Sequence, residues 1–276
     1  MSKVWFVTGS SRGLGRRFVE AALERGDKVA ATARDSSTLE DLSARYGDAV
    51  LPLTLDVTDR RAVHAAVDKA KRHFGRIDVV VNNAGYAQVG AIEELSEQEL
   101  REQMETNLFG AVWVVQAVLP HLREQKSGHI FQLSSAAGLI AMPLGGAYHA
   151  SKWAVEGLNE ALAAEVAGFG IKVTIIEPAG FATRDGKNPN PLDNGHNSRP
   201  HAAYAPLRKR LAEAITGQPE GSPEAAAQAL LTLADSEDPP VRVLFGTGFH
   251  SMIRKVYADR LQTWDDWQAL SRQSQG

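Results

Sequence analysis

The stretch "TGSSRGLG", residues 8–15, follows the apolar run Val4, Trp5, Phe6, Val7 and opens a helical pattern. A chain that leaves a strand and enters a helix in so few residues needs positive φ or bare backbone, and Gly9, Gly13 and Gly15 supply both. Two readings are open at this point. The glycines make a tight turn and nothing more, or they let a pyrophosphate lie against the helix N-terminus, where unpaired N–H groups and the positive end of the helix dipole meet it.

Working outward, short apolar runs alternate with longer amphipathic ones. Strand-like runs are "VWFVT" (4–8), "KVAATA" (28–33), "VLPLTLDV" (50–57), "DVVVNN" (78–83), "HIFQLSS" (129–135), "KVTIIEP" (172–178) and "VRVLF" (241–245). Between them lie helical patterns such as residues 61–74, where Val63, Ala66, Val67, Ala70 and Phe74 share one face. Buried strands alternating with helices predict an α/β fold: one Rossmann-type, doubly wound parallel sheet of about seven strands with helices on both faces. No fixed-period repeat or Gly/Ser linker divides the chain, so residues 1–276 read as one domain. Residues 184–206 break the pattern, being polar and rich in Pro, Gly and Asn; a substrate lid is expected at about 184–215, and a C-terminal extension at about 246–276.

Composition narrows the function. Thirty Lys plus Arg against 33 Asp plus Glu leave no field that would attract nucleic acid or an acidic membrane. Without cysteine there is no disulfide, thiol nucleophile or Cys-ligated zinc, and the eight histidines form no metal-ligand pair. The start "MSKVWFVTG" passes straight into a strand, with no signal-peptide pattern and no apolar run of bilayer length. A soluble, cytoplasmic protein with a small-molecule substrate is expected, with a homo-oligomer (dimer or tetramer) also open.

Three further stretches accompany the glycine turn in order: "NNAG" (82–85), "LSSAAG" (133–138) and "YHASK" (148–152). With the TGxxxGxG form of residues 8–15 they make the chain resemble a classical short-chain dehydrogenase/reductase, from Thr8 to about Phe245. "NLFGAVWVVQAVLP", "YHASKWAVEGL" and "EPAGFAT" resemble most the hydroxysteroid-dehydrogenase-like branch.

Tyr148 and Lys152 are four apart, so on a helix they share a face and the ammonium sits near the phenol. A free tyrosine ionises at about pH 10; a nearby cation favours the phenolate and makes Tyr148 a usable acid/base. Ser135, thirteen residues before Tyr148 as the family's catalytic serine is, has a hydroxyl suited to polarising a carbonyl oxygen. Ser134 competes with it, and strand alternation sends the two to opposite faces. Asn107 matches the family's asparagine in a distorted helix, where the resemblance implies a bound water beside Lys152 and a proton relay.

The resemblance implies the cofactor residues too: Gly9, Ser11, Arg12, Gly13, Leu14 and Gly15 in the turn, Asp56 and Val57 by the adenine, and Asn83, Ala84 and Gly85 on the ribose and pyrophosphate side. Tyr148 and Lys152 face the nicotinamide ribose, with Pro178, Gly180, Phe181 and Thr183 beyond. Ala179 stands where the family usually has glycine. At the end of the second strand, "ATARD" has Ala33 at the place of the NAD-selecting acid and Arg34 beside it, which with Arg12 points to NADP(H); Asp35 is the competing ribose ligand. Gln88, Leu139, Met142, Pro143, Leu144 and Phe181 are the candidate substrate wall, mostly apolar. The expected activity is hydride transfer between NADP(H) and a ketone or secondary alcohol with hydrophobic substituents, as a carbonyl reductase or alcohol dehydrogenase. Two alternatives remain: an epimerase or dehydratase of the extended short-chain type, and a non-catalytic dinucleotide sensor.

Overall fold

Every side chain of the first strand, β1 (Val4–Val7), is buried, Trp5 and Val7 in one apolar layer and Phe6 in the other, as a strand covered on both faces requires. The computed structural model describes residues 2–182, 200–215 and 220–276. Around β1 it sets β2 (Lys28–Ala33), β3 (Val50–Thr54), β4 (Val79–Asn82), β5 (Gly128–Leu133), β6 (Ile171–Pro178) and β7 (Arg242–Phe245) into a parallel sheet of order β3-β2-β1-β4-β5-β6-β7. The expected doubly wound sheet is therefore present. Its order reverses between β1 and β4, and a crevice opens there beyond the strands' carboxyl ends.

The helices are α1 (Gly13–Glu24), α2 (Glu40–Tyr46), α3 (Arg60–Phe74), α4 (Glu97–Met104), α5 (Gly110–Gln125), α6 (Gly146–Val166), α7 (Ala205–Ile215), α8 (Pro223–Asp235), α9 (His250–Asp266) and α10 (Gln268–Gln275). Phe18 and Val19 of α1 and Leu230 of α8 pack on the Trp5 side. Val63 and Val67 of α3, Val114 and Val118 of α5 and Leu162 of α6 pack on the Phe6 side. The apolar stripe read from residues 61–74 is the buried face of α3, which Asp59 caps by accepting from the Arg61 and Ala62 N–H groups.

Two strands end earlier than their sequence runs. β3 stops at Thr54 and not Val57, because Asp56 turns the chain by accepting from the Thr58 N–H and hydroxyl. β5 stops at Leu133, and Ser135 caps a short 3₁₀ turn, Ala136–Gly138. Residues 55–57 and 134–135 are thus released from the ladder over the crevice.

Most of the lid segment, including Arg184, lies outside the described residues. Its described end is not an irregular loop: Ala202–Tyr204 make a 3₁₀ turn that runs into α7. That end is fastened to the turn Ile92–Glu94. The buried Glu94 carboxylate accepts from the His201 and Ala91 N–H groups at 2.6 and 2.7 Å and pairs with Arg208, while the Tyr204 hydroxyl donates to Glu93. No helix among the described residues is long and apolar enough to cross a membrane.

Candidate active site

At the crevice, Gly9 and Gly13 have φ of +68° and +61°, a region that favours glycine. Gly15 is needed for packing: a Cβ there would stand 2.3 Å from Asn83 Nδ2 and 2.4 Å from the Gly9 carbonyl oxygen. The "NNAG" stretch completes the turn. The Asn83 side-chain amide donates to the Thr8 and Gly9 carbonyls at 2.9 and 3.0 Å, and the Asn83 and Ala84 N–H groups both donate to the Thr8 hydroxyl. Asn83 is thus a clamp between the ends of β4 and β1. Arg12 stands at the N-cap of α1 with no side-chain cap, leaving the first N–H groups of the helix for another acceptor.

A cleft of about 890 Å³ opens over this turn. Gly9, Ser11, Arg12, Gly13, Leu14, Ala33, Arg34, Asp56, Val57, Asn83, Ala84, Gly85, Ser135, Tyr148, Lys152 and Pro178 all line it, so residues scattered over the sequence converge as expected. Arg12 and Arg34 are exposed, and neither has a side-chain partner among the described residues. Asp35, which does not line the cleft, caps the turn Ser36–Leu39 by accepting from the Ser37 N–H at 3.0 Å.

Ser134 and Ser135 separate as two residues released from a strand end. Ser135 is half-buried in the cleft; its oxygen accepts from the Ala137 N–H at 3.1 Å, leaving its proton to donate. The Ser134 hydroxyl is buried against Glu156, for a Cβ on Gly138 would stand 2.6 Å from the one and 2.8 Å from the carboxylate oxygen Oε1 of the other. Neither oxygen completes a hydrogen bond of regular geometry.

The charge on Tyr148 differs from the sequence expectation. Burial pushes its phenol above the ordinary value and the Ser135 hydroxyl pulls it back. The Lys152 ammonium stands 5.7 Å from the ring centroid and donates to the Leu133 carbonyl at 2.8 Å. Burial lowers Lys152 to about 8, with Glu156 working to keep the cation. Behind it, Arg242 of β7 pairs with Glu156 and Glu177, both buried, and with Glu160. This buried charge cluster was not visible in the sequence, since its members come from α6, β6 and β7 and share no local spacing.

Asn107 lies in a π turn, Glu105–Phe109, so the expected helix distortion is there. Its amide nitrogen donates to the Tyr86 carbonyl at 2.9 Å and the Ser151 hydroxyl at 3.0 Å, and its oxygen accepts from the Tyr86 N–H. Asn107 thus ties the Gly85–Tyr86 turn to the first turns of α6 and does not line the cleft.

Other expected residues also lie off the cleft lining. Gly180 and Phe181 turn away, Phe181 packing on the Trp5 layer and over Gly221, with Gly180 accepting from the Gly221 N–H at 2.8 Å. Thr183 is outside the described residues. Of the substrate wall, Gln88 is buried and holds Gln103 and Glu99, Leu139 and Leu144 are buried, and Met142 and Pro143 lie outside the lining. Tyr86, Ala87, Glu102, Glu105, Thr106 and Ala179 line it instead. Glu102, Glu105 and Thr106 could not be singled out from the helical pattern they belong to.

Fold and site together define a dinucleotide-binding α/β protein with a Ser, Tyr and Lys set at the cofactor cleft. Residues 3–191 match the short chain dehydrogenase family, and the chain belongs to that family. It is 43% identical over 273 residues to the oxidoreductase BOA17 of Botryotinia fuckeliana, covering 98% of each chain. A solved short-chain dehydrogenase from Streptomyces avermitilis superposes with a TM-score of 0.89 at 38% identity, over 99% of this chain and 98% of that one. The alcohol dehydrogenase of the archaeon Thermococcus sibiricus, solved with 5-hydroxy-NADP, is 26% identical with a TM-score of 0.72, over 89% and 96% of the chains. A short-chain dehydrogenase from Burkholderia phymatum in complex with NAD is 24% identical, with a TM-score of 0.81 over 95% of each chain.

Proposed function

We propose that this oxidoreductase is an NADP(H)-dependent carbonyl reductase or secondary alcohol dehydrogenase acting on a ketone or alcohol with hydrophobic substituents. One observation carries the reading: Ser135, Tyr148 and Lys152 line the same cleft as the glycine turn and the two unpartnered guanidiniums of Arg12 and Arg34.

The cleft fits a phosphorylated dinucleotide. The uncapped start of α1 and the bare Gly9 and Gly13 suit a pyrophosphate. Arg34 and Arg12 suit a 2′-phosphate, while Asp35, the alternative ribose ligand, is engaged as a cap. NADP(H), when bound, supplies or accepts a hydride at its nicotinamide ring. Ser135 donates a hydrogen bond to the substrate oxygen and Tyr148 moves the proton. Lys152, held by Leu133, places its positive charge beside the phenol. The burial that raises Tyr148 keeps its proton in place at neutral pH, which suits an acid in carbonyl reduction. Following nicotinamide absorbance with NADPH or NADH and a panel of ketones tests the proposal; no turnover of any apolar ketone would speak against it.

A further inference from the structure

The last part of the chain exposes what a lone helix should hide. α9 packs on the body only through its first half, where Ile253 and Val256 meet Ala136, Leu139 and Ile140. Arg260 then donates to the Leu139 carbonyl and stacks on Trp153 and Tyr257. From Leu261 onward every residue is exposed, α10 included. Tyr257, Leu261 and Trp264 are 43, 58 and 67% exposed and follow one another at i, i+4 and i+7, so they form one stripe. Trp267 and Leu270 continue the exposed apolar surface. A short helical extension with no packed face is marginal in water, so this stripe calls for a partner.

The charges on the stripe say which one. Arg254 and Asp265 are eleven residues apart, three turns of helix, and so lie on the same side of α9 as Leu261. Neither side chain has a partner among the described residues. An antiparallel copy of α9 would set each Arg254 opposite the other's Asp265 and bring Leu261 against the Tyr257 region, the reciprocal pattern of a two-fold interface. A lipid surface fits less well, because Asp265 and Asp266 flank Trp264 and Trp267 where an interfacial helix carries Lys and Arg.

We infer that α9 is a homodimer interface: a second copy of this chain packs on Tyr257, Leu261 and Trp264 with two Arg254 to Asp265 ion pairs. Light scattering and sedimentation of the full chain, with circular dichroism to confirm folding, test it by charge exchange. The wild type is expected to be a dimer. Arg254→Glu and Asp265→Arg alone should each weaken dimerisation at least about tenfold, since each sets like charges together twice. The double variant should restore it. A monomeric wild type, single variants that dimerise as well as wild type, or a double variant that stays monomeric would each overturn the proposal, as would a monomer that co-sediments with phosphatidylcholine and phosphatidylglycerol vesicles.

Discussion

Arg34 and Asp35 are neighbours in the chain and do opposite things: Arg34 opens onto the cofactor cleft without a partner, while the Asp35 carboxylate accepts from the Ser37 N–H at 3.0 Å and caps the next turn. A carboxylate at the end of β2 would select an unphosphorylated ribose; a guanidinium selects a phosphate. Hydrogen bonds to charged groups are worth roughly 1.5–3 kcal/mol, so Arg34→Ala should weaken the preference for NADPH over NADH by about ten- to a hundredfold. Arg12→Ala should act in the same direction. Catalytic efficiencies with both cofactors check this, and the NADH values should hardly move.

The charge on Lys152 sets an upper pH limit. Burial lowers the group to about 8, so its cation is lost as pH rises through that value. Glu156 opposes the burial, so Glu156→Gln should move the alkaline limb of the rate profile to lower pH. A limb that stays in place would show that Glu156 does not act on Lys152.

Glu94 makes the docking of residues 200–208 depend on acid. Burial would raise its carboxyl, but Arg208 and the His201 and Ala91 N–H groups outweigh that and hold it at about 2. A depressed carboxyl contributes stability above the ordinary carboxylate range of about 4 and loses it as pH falls toward 2. Glu94→Gln should therefore loosen the Ala202–Tyr204 turn at neutral pH, at a cost below the roughly 3–5 kcal/mol of breaking a fully buried pair, because Arg208 keeps some solvent. Faster amide exchange at Ala203 and Tyr204 in the variant, absent from the wild type above pH 5, is the expected signature.

The parts of this account legible in the sequence are those with local spacing. The glycines of residues 8–15, the strand periodicity and the Tyr148 to Lys152 interval are short-range patterns, and each appears in the structure as read. Groups assembled over distance were not legible: Arg242 reaches Glu156 across 86 positions, and Asn107 finds Tyr86 only because a π turn rotates it there. Burial was invisible too. It reversed the expected direction for Tyr148, and it moved Leu139, Leu144 and Phe181 from a substrate wall into packing.

The central claim is that Tyr148 is the acid/base of an NADP(H)-dependent carbonyl reaction. The most direct test is the turnover of Tyr148→Phe with NADPH and an apolar ketone that the wild type reduces, with NADPH affinity measured alongside. The phenylalanine keeps the ring and removes the proton, so turnover should fall by at least about a hundredfold while NADPH affinity changes little. A variant that keeps more than about a tenth of the wild-type rate, against the hundredfold expected of a lost general acid, would contradict the assignment.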